Sequence, residues 1–382
     1  MKAPGTVPAL ALAAASLVTT ATAQHGPALR PAPHSGCEVT SIDAPAGAVL
    51  PEFDPASWSV FAPRTSVTFQ VFLDDPGNQL AAFAPAILSN MQAACDRWAS
   101  LLQPPPTPAV ITVLVRVDNT YPRATGRSET TVFVGAADGY DIFDQGAAYE
   151  ARTGVDPNGT VHDAVVTLNT SYTANELWFD PNPATRTAPV PQNRTDAVSV
   201  FLHELGHIIM FNGWRDNYTG IMPGLYQSPF DQFTTFDGDF YFHGTQCTGL
   251  YGSPAPLTYG NAKHLGNNSP RPGADLIPDL MNGVVFYRGS RYDASPLDLA
   301  VGRDCGVPFL GGGTACDTID FNNDGLFPDT SDIDDFLSVF SGGACSNDPN
   351  CNDIDYNNDG LFPDTLDIDA MLSVFSGGAC LV

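Results

Sequence analysis

Hydrophobic positions recur with two different periods along this chain. Residues 67–73 (VTFQVFL) alternate apolar and polar side chains, as a strand with one covered face does. Residues 82–102 switch to helical spacing, with Ile87, Met91, Ala94, Cys95, Trp98 and Leu101 on one stripe, and the Pro-rich run at 104–108 stops them. Residues 110–117 (VITVLVRV) are β-branched enough for a buried strand. Residues 131–134 and 164–168 predict two more strands, with a Gly- and Asp-rich loop between them. The strongest helix covers 195–211, from a polar start at Thr195-Asp196 to a stop at Asn212-Gly213. Residues 212–280 carry no sustained period and read as loops. A second clear helix opens at Ser295, with Pro296 at its first position and Asp298 able to reach back to the cap. This order predicts an α+β domain over residues 65–310. A Pro-, Ala- and Ser-rich arm (24–64) precedes it, and a Gly-rich linker (311–315) follows.

Charge separates the remainder. The 382 residues carry 16 Lys+Arg against 42 Asp+Glu, a formal net charge of −26. Fourteen of the aspartates fall in residues 315–382, which contain no Glu, Lys or Arg. So acidic a surface repels phosphate backbones, which argues against a nucleic-acid partner. The short final segment reads as a separate, cation-seeking module.

The N-terminus has Lys2, an apolar run at 7–18 and then Ala21-Thr22-Ala23, the order of a secretory signal cleaved after residue 23. The run is shorter than the ~20 residues of a membrane span. Secretion implies an oxidising compartment, where eight cysteines are expected as disulfides. Cys37, Cys95, Cys247 and Cys305 form one group. Cys316, Cys345, Cys351 and Cys380 form another, whose equal spacing favours pairing 316 with 345 and 351 with 380. A thiolate at Cys37 capping a metal is the alternative for the first group.

The strongest helix contains His203-Glu204-Leu205-Gly206-His207. Residues four apart share a helical face, so both imidazoles reach one metal ion, and Glu204 stands where a general base on water belongs. A catalytic zinc needs a third protein ligand and an open position. His243 and His264 both follow the helix. His264 precedes Asp279-Leu280-Met281-Asn282-Gly283 by 15 residues, while His243 lies in the aromatic stretch Phe240-Tyr241-Phe242 and reads as a buried structural residue.

HELGH, a distant third His, a Met-containing turn and an S-P-L-D-L-A helix ending R-D-C-G together resemble the metzincin zinc peptidases. Within that clan the chain is most similar to leishmanolysin-like enzymes, with their long insertion before the third ligand. The compact HExxHxxGxxH form is excluded, because Met210 and Gly213 stand at its last two places. The resemblance implies zinc held by His203, His207 and His264, Met281 as the apolar floor beneath it, and Glu204 as catalytic base. It implies a secreted endopeptidase acting on protein or peptide substrates. The alternative is an inactive surface or adhesion protein that keeps the fold.

The tail repeats itself with a period of 35: residues 316–345 and 351–380 share NNDGLFPDT and LSVFSGGAC. Each copy opens with D-x-N-x-D-G, the first half of an EF-hand-type calcium loop. The expected calcium ligands are Asp320, Asn322 and Asp324, then Asp355, Asn357 and Asp359. Ser331 and Leu366 occupy the usual closing position, so Asp332 and Asp367, one residue later, are expected to close the loops. Short apolar helices follow at 333–340 and 368–375, presenting Phe336, Leu337, Val339 and Phe340, matched by Met371, Leu372, Val374 and Phe375. This paired loop-helix pattern resembles dockerin modules of a type bounded by Gly and Cys. The resemblance implies a cohesin-like or cell-surface docking partner.

Overall fold

The computed structural model describes residues 39–55, 58, 66–310, 316–326, 329–352, 354–357, 365–377 and 380. The signal sequence, Cys37, the linker at 311–315 and Asp359 therefore lie outside the described residues. The chain is a mixture of helices and small sheets, as the α+β expectation requires.

In chain order, β1 (Thr40–Ile42) comes from the N-terminal arm. It is followed by β2 (Val67–Asp74), α1 (Ala84–Leu101), β3 (Ala109–Val117) and β4 (Ala124–Ser128). Next come β5 (Thr131–Ala137), β6 (Tyr140–Gln145), α2 (Gly146–Thr153) and β7 (Ala164–Leu168). The main sheet has the order β2-β3-β7-β4, with β2, β3 and β7 parallel and β4 antiparallel to β7. Alternation in β3 buries Ala109, Ile111, Val113, Val115 and Val117, whereas every residue of β7 is buried. All six residues of the α1 stripe are buried. They press α1 onto β2 and onto the motif helix α3 (Ala197–Ile209), where Trp98 Nε1 donates to the Leu202 carbonyl at 3.0 Å.

The segment between 134 and 164 is not the loop expected from its Gly and Asp content. It holds β6 and α2. Gly139 supplies the tight turn from β5 into β6 at a φ of +84°, a conformation that suits Gly, and Gly154 ends α2 in the same left-handed region.

Asp196, not Thr195, caps α3, accepting from Ser199 N at 2.9 Å; Thr195 and Asp196 form a two-residue strand. Its carboxylate is buried and paired with fully buried Arg186 at 2.5 Å, whose guanidinium lies 4.4 and 4.5 Å from the ring centroids of Phe53 and Trp58. The long insertion then folds on its aromatics. β8 (Thr234–Phe236), β9 (Phe240–Phe242) and β10 (Ala255–Leu257) make an antiparallel sheet. Phe230 links it to the end of α3, 5.4 Å from Phe211 and 5.1 Å from Phe242 between ring centroids. β11 (Val285–Tyr287) pairs in parallel with β1, and α4 (Pro296–Asp304) closes the domain with the expected Ser295/Asp298 capping box.

The tail has its own apolar cluster of Phe321, Phe336, Ile354, Tyr356, Ala370 and Met371. Its helices are α5 (Thr330–Phe340) and α6 (Thr365–Phe375). The expected cystines are wrong here: Cys316 bonds Cys380, and Cys345 bonds Cys351. The reason is that the repeats pack on each other rather than closing singly. Asp317 N donates to Tyr356 O at 2.8 Å and Asn352 N to Phe321 O at 2.9 Å, which brings the outer cysteines together. The first cysteine group is also corrected, because Cys95, Cys247 and Cys305 are buried free thiols. Cys95 faces the core from α1, and burial pushes all three thiols up, away from the reactive thiolate. Among the described residues no helix is long and apolar enough to cross a membrane.

Candidate metal centre

The structure brings three of the sequence-predicted residues to one point. His207 Nε2 lies 3.2 Å from His203 Nε2 and 3.0 Å from His264 Nε2, and the third distance is 3.1 Å. Each ring is anchored through its other nitrogen. His203 Nδ1 donates to Leu280 O (2.7 Å), His207 Nδ1 to Phe211 O (2.7 Å) and His264 Nδ1 to Asn261 O (3.1 Å). A carbonyl only accepts, so each Nδ1 carries the proton and each Nε2 presents a bare lone pair. Three lone pairs facing one another have no proton to share. The arrangement suits a cation between them. Nitrogens about 2.0–2.1 Å from a tetrahedral zinc stand roughly 3.3 Å apart, close to the spacing here. Burial lowers the pKa of all three imidazoles, His207 to about 4, so they are neutral and ready to bind metal at ordinary pH.

His264 reaches the helix because the turn around Met281 holds it. Leu265 N donates to Met281 O at 2.8 Å, and Met281 N to Asp298 Oδ1 at 3.3 Å, tying the third ligand through the turn to the α4 cap. Met281 is fully buried, and its sulfur packs so tightly on the motif glycine that a Cβ on Gly206 would meet it at 2.4 Å. The Phe286 ring of β11 sits edge-on to His203 at 5.3 Å. Sequence reading missed Phe286, and only its place shortly after the Met turn hinted at it.

His243 is exposed rather than buried, and its Nε2 meets Thr235 Oγ1 at 2.8 Å, away from the cluster. The chain reverses after α3 at Met210 (φ −149°), without a left-handed residue at Asn212 or Gly213.

Glu204 is buried beside His203 and lines a small pocket with Val39, Arg123, Ala124, Tyr172, Val200 and Phe286. Strand β4 lies against its backbone, since a Cβ on Gly126 would meet the Glu204 carbonyl oxygen at 2.1 Å. That contact demands glycine. Val39, the residue before β1, closes the pocket, so the N-terminal arm is not merely an extended leader to the domain.

In the first tail loop, Asp320 accepts from Asp324 N and Gly325 N, both at 2.9 Å, which curls the loop as a calcium site requires. Asn322 is buried and donates to Asp335 Oδ2 at 2.9 Å; Asp324 is exposed. Asp332 is fully buried, and its Oδ1 has no hydrogen-bond partner, an orphan that a cation would satisfy. In the second loop Asp355 is half-buried, Asn357 and Asp367 are buried, and Asn357 N lies 3.4 Å from Asp367 Oδ1. The two matched helix faces do not behave as units. Phe336 and Met371 enter the core, whereas Leu337 and Leu372 stay about half exposed.

Comparison with protein-family models, with curated proteins and with solved structures finds no match to this chain.

Proposed function

We propose that the chain is a secreted zinc-dependent endopeptidase of metzincin-like, leishmanolysin-like design, carrying a dockerin-like calcium-binding tail. One observation carries the reading: three buried imidazoles converge with bare Nε2 atoms, each fixed by a carbonyl on its Nδ1. His203, His207 and His264 would hold the ion, and Met281 would form the floor beneath them. Zinc there supplies Lewis acidity, which polarises a carbonyl and makes water nucleophilic near neutral pH. Glu204 takes the proton from the attacking water and returns it to the leaving amine. Burial beside His203 excludes bulk water from this exchange. The tight contact of Gly126 with the Glu204 backbone supports the reading, because it holds the base in place from the sheet side.

In the tail, calcium would be held by Asp320, Asn322, Asp324 and Asp332, and by Asp355, Asn357, Asp359 and Asp367. Leu337 and Leu372, at equivalent places on α5 and α6, are the exposed apolar side chains for a docking partner.

The test is digestion of an unfolded protein substrate with and without a chelator. Cleavage should stop on chelation and return with zinc, and Glu204→Gln should abolish turnover while zinc remains bound. Full turnover in that variant would overturn the mechanism. A folded, zinc-loaded chain inert toward every protein substrate would favour the adhesion reading.

A further inference from the structure

A second cluster of metal-binding side chains lies away from the histidines. Glu150 on α2, Asp163 at the entrance to β7 and Asp156 on the loop between them each bring one carboxylate oxygen within 4.8 Å of the others. Glu150 and Asp163 are each only 3 % exposed. Part of their role is structural. β7 does not pair with β3 until Val113, so the preceding N–H groups of β3 need other acceptors. Glu150 Oε1 accepts from Val110 N (3.1 Å), and Asp163 Oδ2 accepts from Thr112 N (2.7 Å) and Thr112 Oγ1 (2.8 Å).

That duty uses one oxygen of each. Glu150 Oε2 and Asp163 Oδ1 are buried with no hydrogen-bond partner. The ion pairs of the described residues leave all three carboxylates out. Two buried carboxylates side by side with orphaned oxygens are costly, and either a proton or a cation must settle them. A shared proton is the rival, since burial and the neighbouring Asp163 push Glu150 up to about 8. It would leave unused the third carboxylate that the loop brings to the pair: Asp156 Oδ1 accepts from Asn158 N (2.6 Å) and Gly159 N (2.8 Å), and Asn158 Nδ2 donates to His162 O (3.1 Å).

We propose that Glu150, Asp156 and Asp163 bind a structural calcium ion that fastens the 154–163 loop to α2 and the sheet. An all-oxygen donor set selects a hard cation. Coordination habit then decides between the two common ones: magnesium demands a near-ideal octahedron and is held by one or two carboxylates, whereas calcium accepts several carboxylates in an irregular shell completed by water, so a set of three carboxylates favours calcium. Asp156 is exposed, which leaves the outer face open to waters that complete the coordination. The site is independent of the histidine centre and of the tail repeats, but α2 packs on both β3 and α3, so the ion would brace the motif helix from behind.

The experiment is hydrogen exchange on the full chain with zinc present, in calcium-depleted buffer and then with added calcium chloride. Peptides covering 150–163 should exchange at least tenfold more slowly with calcium. Glu150→Gln should abolish that protection. Asp156→Asn, which keeps an Oδ1 acceptor for Asn158 N and Gly159 N while removing the charge, should raise the half-saturating calcium concentration at least tenfold. The tail peptides serve as an internal control and should respond alike in all three proteins. Unchanged exchange across 150–163 in the wild type would overturn the proposal in favour of a shared proton. So would protection that survives both substitutions, or protection by magnesium but not calcium.

Discussion

Replacing His264 by Ala tests the metal centre most directly, because the rival histidine serves as its control. Structural zinc sites with four protein ligands release about 10–16 kcal/mol on binding, so one ligand is worth on the order of 3 kcal/mol, roughly a hundredfold in affinity. On the proposed reading His264 should contribute that in full. Its Nε2 stands 3.0 and 3.1 Å from the other two, and its ring is fully buried and fixed by Asn261 O. His243 should contribute none of it. It is exposed and its ring bonds Thr235 Oγ1 at 2.8 Å, so its loss should cost less than about 1 kcal/mol of stability and no metal. The assay is competition against a coloured zinc chelator, with folding checked by circular dichroism. His264→Ala should move the chelator midpoint by about two orders of magnitude, and His243→Ala should leave it in place. A folded His264→Ala protein with the wild-type midpoint would remove His264 from the site, and a large shift in His243→Ala would refute the geometry outright.

Three further outcomes are expected. Arg186→Met leaves the buried Asp196 carboxylate at the start of α3 its Ser199 hydrogen bonds but only Arg291, 3.4 Å away, as an ion-pair partner among the described residues, so urea unfolding should show a loss near the low end of the range for broken buried pairs, about 3 kcal/mol; less than 1 kcal/mol would contradict it. Gly206→Ala gains about 1 kcal/mol of helix propensity but drives a methyl into Met281, at a cost of about 1–3 kcal/mol. The net should be destabilising with weaker zinc retention, partly rescued by adding Met281→Ala. In the tail, loop entropy makes the Cys316–Cys380 link, 64 residues apart, worth about 4 kcal/mol and the Cys345–Cys351 link, 6 apart, about 2 kcal/mol. Removing the first pair by Ser substitution should therefore lower the melting temperature of the tail more than removing the second.

What could be read in advance was whatever local periodicity encodes. The α1 stripe, the α3 motif and the Ser295 cap depend on neighbours three or four residues away, and the structure places them where their spacing does. The position of His264 before the Met turn separates it from His243; the aromatic stretch Phe240-Tyr241-Phe242 points to a buried His243, whereas its side chain is exposed. The cystine pairing failed because it depends on how two repeats dock, and identical spacing carries no information about docking. β6 and α2 were hidden by Gly and Asp residues that serve as turn and cap rather than as loop. The Glu150, Asp156 and Asp163 cluster had no signature at all: its members are 6 and 7 residues apart, with no fixed backbone relation until α2 and β7 are both in place.

The pairing of β1 with β11 carries a kinetic consequence. Val39 shares the pocket with Glu204 and His203, and the three clustered histidines are at most 1 % exposed. On the side that Val39 covers, a polypeptide or an incoming metal ion would gain access when this three-residue strand lifts away. Short edge pairings open at a few kcal/mol, well below global unfolding. An opening cost of about 3 kcal/mol leaves roughly 1 % of molecules receptive, which weakens apparent substrate affinity about a hundredfold without touching a single contact in the site. The same gate would slow zinc loading and zinc escape together, so the metal, once in, would outlast brief exposure to a chelator. A single chain cut between residues 43 and 66 would loosen that strand and release both restraints at once.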